Sequence, residues 1–193
     1  MKENGRSLEL KASIIDSTAN ALTLIVLNGD KKEIFVGNEG ARRHTSEILT
    51  ELDKLFERAS LKAKELDYVG IVVGPGSFTG IRIGVATANA MALASGAKLV
   101  EITELEAMLE GKDEALAMID CKHDNYYCLY KKGDNMEYMA KNISELAEYE
   151  CERVIYKEPN AEKLIATFLK KVEEEKFSTV SKPYYMKKSS AEA

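Results

Sequence analysis

The stretch Val69-Gly-Ile-Val-Val-Gly-Pro-Gly-Ser-Phe-Thr-Gly-Ile-Arg-Ile-Gly84 constrains the fold more than any other part of the sequence. Residues 69–73 are apolar and mostly β-branched, the composition of a strand buried on both faces. Gly74-Pro75-Gly76 breaks that run, because proline cannot continue a ladder and glycine accepts positive φ. From Ile81 to Ser95 the pattern is helical, with Thr79 as a suitable N-cap and Gly96 as a natural stop. A strand, a glycine loop and a helix in this order point the loop amides and the positive end of the helix the same way. Two readings of the loop stand side by side. One is a phosphate or nucleotide cradle built from Gly74, Gly76, Ser77 and Thr79; the other is a tight turn whose glycines serve packing. The dinucleotide fingerprint is not met, since Thr79 stands where its third glycine belongs, and no lysine follows at the Walker spacing.

The helix carries a second constraint. Gly80, Gly84, Ala88 and Ala92 recur every four residues and form a smooth stripe that a second helix can approach closely. Ile81, Ile83, Val85, Met91 and Leu93 spread apolar surface over its other faces, which suits deep core or an interface. An earlier segment, 45–59, places Ile48, Leu49, Leu52, Leu55, Phe56 and Ala59 on one apolar stripe, with Thr45 or Ser46 as cap and Glu47 in the positive first turn. His44, at the start of that helix, is read as a capping or surface residue.

At 193 residues the chain is long enough for one domain or two small ones, and 45% hydrophobic with 31% charged residues is an ordinary globular balance. A formal net charge of −5 argues against this chain gripping nucleic acid by itself. No apolar run reaches membrane-spanning length and the first residues lack a signal-peptide core, so a cytoplasmic protein without a membrane partner is expected. Cys121, Cys128 and Cys151 are odd in number and lack metal-ligand spacing, which suits reduced thiols. The two histidines, His44 and His123, supply no metalloprotease pair, and Ser77 is not in a nucleophile elbow. No catalytic set and no metal site is expected.

Taken in order, Lys11–Asp16 and Leu22–Leu27 read as strands, and Asn28-Gly29-Asp30 turns the second into a third near Glu33–Val36. A strand at 98–102 and a capping box Thr103-x-x-Glu106 lead to a short helix ended by Gly111. The first half therefore reads βββαβαβα, an α/β layer arrangement. The second half again opens with a strand ending in aspartate, Ala115–Asp120, followed by a hairpin around Lys-Lys-Gly-Asp-Asn. A short helix over 143–149, a strand near 153–156 and an amphipathic helix from Asn160 to about Glu174 complete it. The repetition of strand, aspartate and hairpin suggests an internal duplication, with lobes at 1–111 and 112–193 and the second reduced.

Residues 74–84, Gly-Pro-Gly-Ser-Phe-Thr-Gly-Ile-Arg-Ile-Gly, resemble the signature of the TsaB (YeaZ) family, bacterial partners of the TsaD (Gcp-type) protein in making threonylcarbamoyladenosine on tRNA. The tail from Lys182 to Glu192 is similar to the family's closing Pro-x-Tyr-x-Arg-x-Ser-x-Ala-Glu, with Lys187 in place of arginine, and Asp120-Cys121-Lys122 stands where the family has an Asp-Ala-Arg-type segment. Lysine there lacks the bidentate geometry of arginine. The opening, a strand ending in Asp16-Ser17-Thr18 and then a hairpin, resembles the actin-like and sugar-kinase ATPase superfamily. In that superfamily such an aspartate helps position phosphate, which would put Asp16 and Ser17 with the glycine loop; otherwise Asp16 caps a turn. The resemblance implies a duplicated ribonuclease-H-like fold and a non-catalytic subunit of a tRNA-modifying complex. Its expected partners are a TsaD-type catalytic subunit, which carries its own metal-binding histidines, and a TsaE-type ATPase. It implies a homodimer when alone, tRNA contact only through the complex, no cofactor required by this chain, and ATP or ADP left to the partner complex. The expected partner face comprises Ile48, Leu52, Leu55, Phe56, Gly80, Arg82, Gly84, Val85, Ala88, Met91 and Ala92. The alternatives are a glycoprotease-like endopeptidase and a stand-alone nucleotide-binding hydrolase. A bulky residue at Gly84 or Ala88 is expected to separate them, through lost association for a partner face and lost turnover for a cleft enzyme.

Overall fold

The structure, a computed structural model, describes residues 10–19, 21–37 and 44–186. The side chains of Arg42 to Ser46, including His44 and the expected caps Thr45 and Ser46, lie outside the described residues, as does the tail from Lys187 onward.

Two sheets form the framework. The first contains β1 (Lys11–Asp16), β2 (Thr23–Asn28), β3 (Lys31–Val36), β4 (Tyr68–Val72) and β5 (Lys98–Ile102) in the order β3-β2-β1-β4-β5. β1, β2 and β3 are antiparallel, joined between the second and third at Gly29-Asp30, where Gly29 has φ +58 and its amide donates to the Leu10 carbonyl at 3.0 Å. β4 and β5 run parallel to β1 through right-sized helical crossovers. The crossovers are α1 (His44–Ala59), with a single 3-10 turn at Ala63–Glu65, and α2 (Phe78–Ser95). The second sheet contains β6 (Glu114–Asp120), β7 (Asn125–Lys132), β8 (Asn135–Asn142) and β9 (Arg153–Ile155) in the order β8-β7-β6-β9, with β6 and β9 parallel. α3 (Glu104–Met108) joins the sheets, and α4 (Ala161–Glu173) closes the fold.

Both halves open with an aspartate-ended strand and two antiparallel partners, and then return to a strand parallel to the first. This is the actin-like, ribonuclease-H-like arrangement in duplicate. The second copy is reduced: a 3-10 segment, Ile143–Glu148, replaces its first crossover helix, and a single parallel strand follows.

Side-chain alternation along β1 assigns the two faces of the first sheet. Ile15 joins Leu24, Val26, Ile71 and the inner residues of α1 and α2, whereas Ala12 and Ile14 join Ile25, Val100, Ile102 and α4. α4 follows the second sheet in sequence but buries Leu164, Ile165 and Phe168 against the first. Phe168 fits because Gly70 in the middle of β4 has no side chain; a Cβ there would stand 2.9 Å from the ring. A boundary at residue 111 thus separates the sheets but not the layers that cover them, because the first sheet takes one of its two covers from the far side of that boundary. The second sheet packs Ala115, Ala117 and Leu129 on α3, and Leu116, Met118 and Cys128 beneath Leu146. Burial pushes the Cys128 thiol up to about 11, so it acts as packing. Among the described residues no helix is long and apolar enough to cross a membrane.

Candidate functional site

The C-terminal ends of β1, β4 and β5 meet at one edge of the first sheet, the place where open α/β sheets leave a crevice. Gly74, Pro75, Gly76 and Ser77 cross it. Ser77, rather than Thr79, is the N-cap of α2: its Oγ accepts from the Gly80 amide at 3.2 Å, and Thr79 lies exposed in the first turn. The helix therefore starts earlier than the apolar periodicity alone suggests. The Ser77 amide donates to the Thr18 carbonyl at 2.7 Å. Gly76, with φ +156, passes so close to Thr18 that a Cβ would collide with that carbonyl, and a Cβ on Gly74, at φ +137, would collide with the carbonyl of Tyr184. The space beside both glycines is filled by the chain's own backbone, which supports the packing reading of the loop.

The same holds for the helical stripe. A Cβ on Gly80 would collide with the Ser17 carbonyl, and one on Gly84 with the Ser17 hydroxyl. Ser17 Oγ in turn donates to the Gly80 carbonyl at 2.7 Å. The close approach that these small residues permit is thus to the turn after β1, not to a second helix. Of the residues expected on a partner face, Ile48, Leu52, Leu55, Phe56, Gly80, Gly84, Val85, Ala88 and Ala92 are buried inside this chain. They face their own sheet because an amphipathic helix first satisfies its strongest apolar stripe intramolecularly. Met91 is half-buried and Arg82 exposed. A bulky residue at Gly84 or Ala88 would disrupt the core and reports on folding rather than association.

What α1 and α2 leave open is a groove of about 640 Å³ lined by Leu49, Ala63, Lys64, Ala86, Thr87, Ala90, Met91, Ala94 and Ser95. Ala86, Ala90 and Ala94 repeat every four residues, a second small-residue stripe two positions round the helix from the buried one. Leu49 is 61% exposed, and Leu93, on α2, 88%. The sequence signal for this surface is the excess of apolar residues on α2 beyond what one face needs.

Asp16, fully buried at the end of β1, accepts from the Thr18 amide at 2.9 Å and the Thr18 hydroxyl at 2.7 Å through Oδ1. Glu104, the first residue of α3, lies against it. Burial raises the Glu104 carboxyl well above the usual carboxylate range, and the charge and hydrogen bond of Asp16 add to that. Two carboxylates cannot hydrogen-bond to each other without a proton, so the pair favours keeping one, which is the direction in which Glu104 is shifted. Tyr156, just past β9, faces the pair; burial first, then the charges of Glu104 and Asp16, push its phenol up. One group from each sheet and one from the connecting helix therefore meet here. Glu104 is missed by sequence reading because it lies inside a capping box that already explains Thr103 and Glu106. Asp120, at the end of β6, does other work: its Oδ1 accepts from the Lys122 amide at 2.8 Å and braces a turn where Lys122, His123 and Asp124 all have positive φ. Among the described residues no group of three or more His, Cys, Asp or Glu side chains could hold a metal ion.

Comparison with known proteins connects this geometry to a family. The model of the family described as TsaD, tRNA N6-adenosine threonylcarbamoyltransferase, matches residues 34–192. The tRNA threonylcarbamoyladenosine biosynthesis protein TsaB of Haemophilus influenzae is 31% identical over 121 residues, covering 58% of this chain and 50% of that protein. TsaB of Escherichia coli is 28% identical over 101 residues, covering 49% and 44%. The chain spans about half the length of the curated relatives it matches. A Pseudomonas aeruginosa structure described as similar to the peptidase YeaZ superposes with a TM-score of 0.78 at 16% identity, over 92% of this chain and 100% of that one. YeaZ from Pseudomonas aeruginosa gives 0.72 at 16% identity, over 91% and 99%. At that identity the structures speak for the fold, while the family model speaks for descent: the chain belongs to the TsaD family, and the curated TsaB proteins are among its relatives.

Proposed function

We propose that this chain is an accessory subunit in the formation of threonylcarbamoyladenosine on tRNA, and that it binds a TsaD-type catalytic subunit through the open side of α1 and α2. The observation that carries the reading is the groove walled by Leu49, Ala86, Ala90, Met91 and Ala94, an apolar surface with a small-residue stripe on a member of this family. A helix laid along Ala86-Ala90-Ala94 approaches closely because those positions carry only methyl groups. Alone, the same surface pairs with a second copy. The chemistry belongs to the partner: the side-chain positions of Gly74 and Gly76 are taken by the chain's own backbone, and the buried acid pair offers no open position for a substrate. Contact with tRNA then comes through the complex, in the cytoplasm, with a TsaE-type ATPase as further partner and ATP or ADP bound there.

Light scattering on mixtures with a TsaD-type subunit from the same source tests this. The expected result is a heterodimer that replaces a homodimer and is lost on Ala90→Trp, a change on the exposed side that leaves the fold intact. A wild-type chain that ignores that subunit, or an Ala90→Trp variant that binds it unchanged, contradicts the reading.

A further inference from the structure

Two segments 103 residues apart in sequence come together beside the groove-bearing helix. Phe78 and Arg82 lie one turn apart on α2, and the Arg82 guanidinium carbon stands 3.7 Å from the centre of the Phe78 ring. Tyr185, near the end of the described chain, stacks on Phe78 with ring centres 5.0 Å apart and planes 28° from parallel. Arg82 Nε donates to the Tyr185 hydroxyl at 2.9 Å. Despite these contacts, Phe78 remains 41% and Tyr185 38% exposed, and Arg82 is exposed as well.

The stack and the Nε bond fix the plane of the guanidinium. Among the described residues Arg82 forms no ion pair and its two terminal nitrogens meet no hydrogen-bond acceptor. What remains is the end-on fork of a held arginine, the part that matches the two oxygens of a carboxylate. We propose that Phe78, Arg82 and Tyr185 form an oxyanion-recognition site that takes an Asp or Glu side chain of a protein partner. A nucleic acid is gripped by many cations spread along its backbone, whereas here a single guanidinium is set against two aromatic rings on a chain of net charge −5. An exposed arginine held by two aromatic side chains has the residue makeup of a protein–protein hot spot, which a partner would desolvate on binding. The inference rests on the accessory-subunit reading only for which protein brings the carboxylate.

The test uses the full chain, Arg82→Lys and Tyr185→Phe, titrated calorimetrically with the TsaD-type subunit. Lysine keeps the charge and loses the fork; phenylalanine keeps the ring and loses the Nε acceptor. Arg82→Lys is expected to weaken association tenfold or more and Tyr185→Phe severalfold, with melting temperatures unchanged. Unaltered affinity in Arg82→Lys overturns the site and leaves the accessory reading standing. If the wild-type chain does not bind that subunit, the accessory reading falls and the site is judged separately, by side-chain nitrogen NMR of Arg82 during titration with a hexaglutamate peptide. A saturable shift that Arg82→Lys abolishes supports it; no shift overturns it. A shift with oligouridylate and none with the peptide also overturns it, in favour of a nucleic acid.

Discussion

Glu104 is where a single side chain sets a measurable property of the whole protein. Its carboxyl ionises at a higher pH folded than unfolded, so the folded state binds the extra proton between those two values. Stability is then fully present below the unfolded carboxylate value, near 4.5, and declines as pH rises through the folded one. The slope for one proton is about 1.4 kcal/mol per pH unit within that window. Glu104→Gln supplies a neutral group that can still donate to Asp16, so urea denaturation should show this variant gaining on the wild type as pH increases. Equal slopes for both proteins would mean that Glu104 is ionised in the folded state. A second residue-scale case is the turn at Lys122, His123 and Asp124, with φ +75, +56 and +57. Left-handed backbone costs an L-residue on the order of 1 kcal/mol. Lys122→Gly should therefore stabilise the protein by up to about 1 kcal/mol, read as a higher urea midpoint; a lower midpoint would show that the lysine side chain contributes more than the strain costs.

At the level of elements, α2 shows what a pattern tells and what it withholds. The sequence announces a strand, a glycine turn, a helix and its Gly96 stop, and each is found. The period-four spacing of Gly80, Gly84, Ala88 and Ala92 likewise announces a close approach. It does not say to what, since the surface approached is Ser17, more than sixty residues earlier, and periodicity carries no long-range partner. Gly80→Ala should cost more than about 2 kcal/mol, the upper part of the range for overpacking, because backbone at Ser17 cannot swing aside as a side chain would. Ala90→Trp, ten residues along the same helix on its open face, should leave the melting temperature within a degree or two. Thermal melts of the pair separate the two sides of α2. If Gly80→Ala melts like the wild type, the turn after β1 is softer than its hydrogen bonds indicate. The Phe78–Arg82–Tyr185 arrangement was half legible: the i, i+4 spacing puts Phe78 and Arg82 together, but nothing local predicts that a tail tyrosine joins them.

For the molecule as a whole, the sequence displays the duplication through repeated strand-aspartate-hairpin segments, and the two sheets bear that repetition out. The amphipathic stripe of α4 does not reveal which sheet it covers, because either sheet would satisfy Leu164, Ile165 and Phe168 equally well as apolar surface. Since α4 lies on the first sheet, the two halves should unfold together. Phe168→Ala, which empties a fully buried site, is expected to cost about 3–5 kcal/mol and to shift one common transition. Two separate transitions in urea, followed by circular dichroism and tyrosine fluorescence, would instead mark the halves as independent.

The position of α4 also sets an order of events during synthesis. β5 completes the first sheet at Ile102, yet the helix that covers Ile14, Ile25, Val100 and Ile102 is made roughly 60 residues later, about 3–12 s at ordinary elongation rates. Throughout that interval the nascent chain presents one apolar face of its first sheet to the surrounding solution. A ribosome stalled between β5 and α4 should therefore hold a chain that attracts chaperones, and the hazard ends once Phe168 reaches the notch at Gly70.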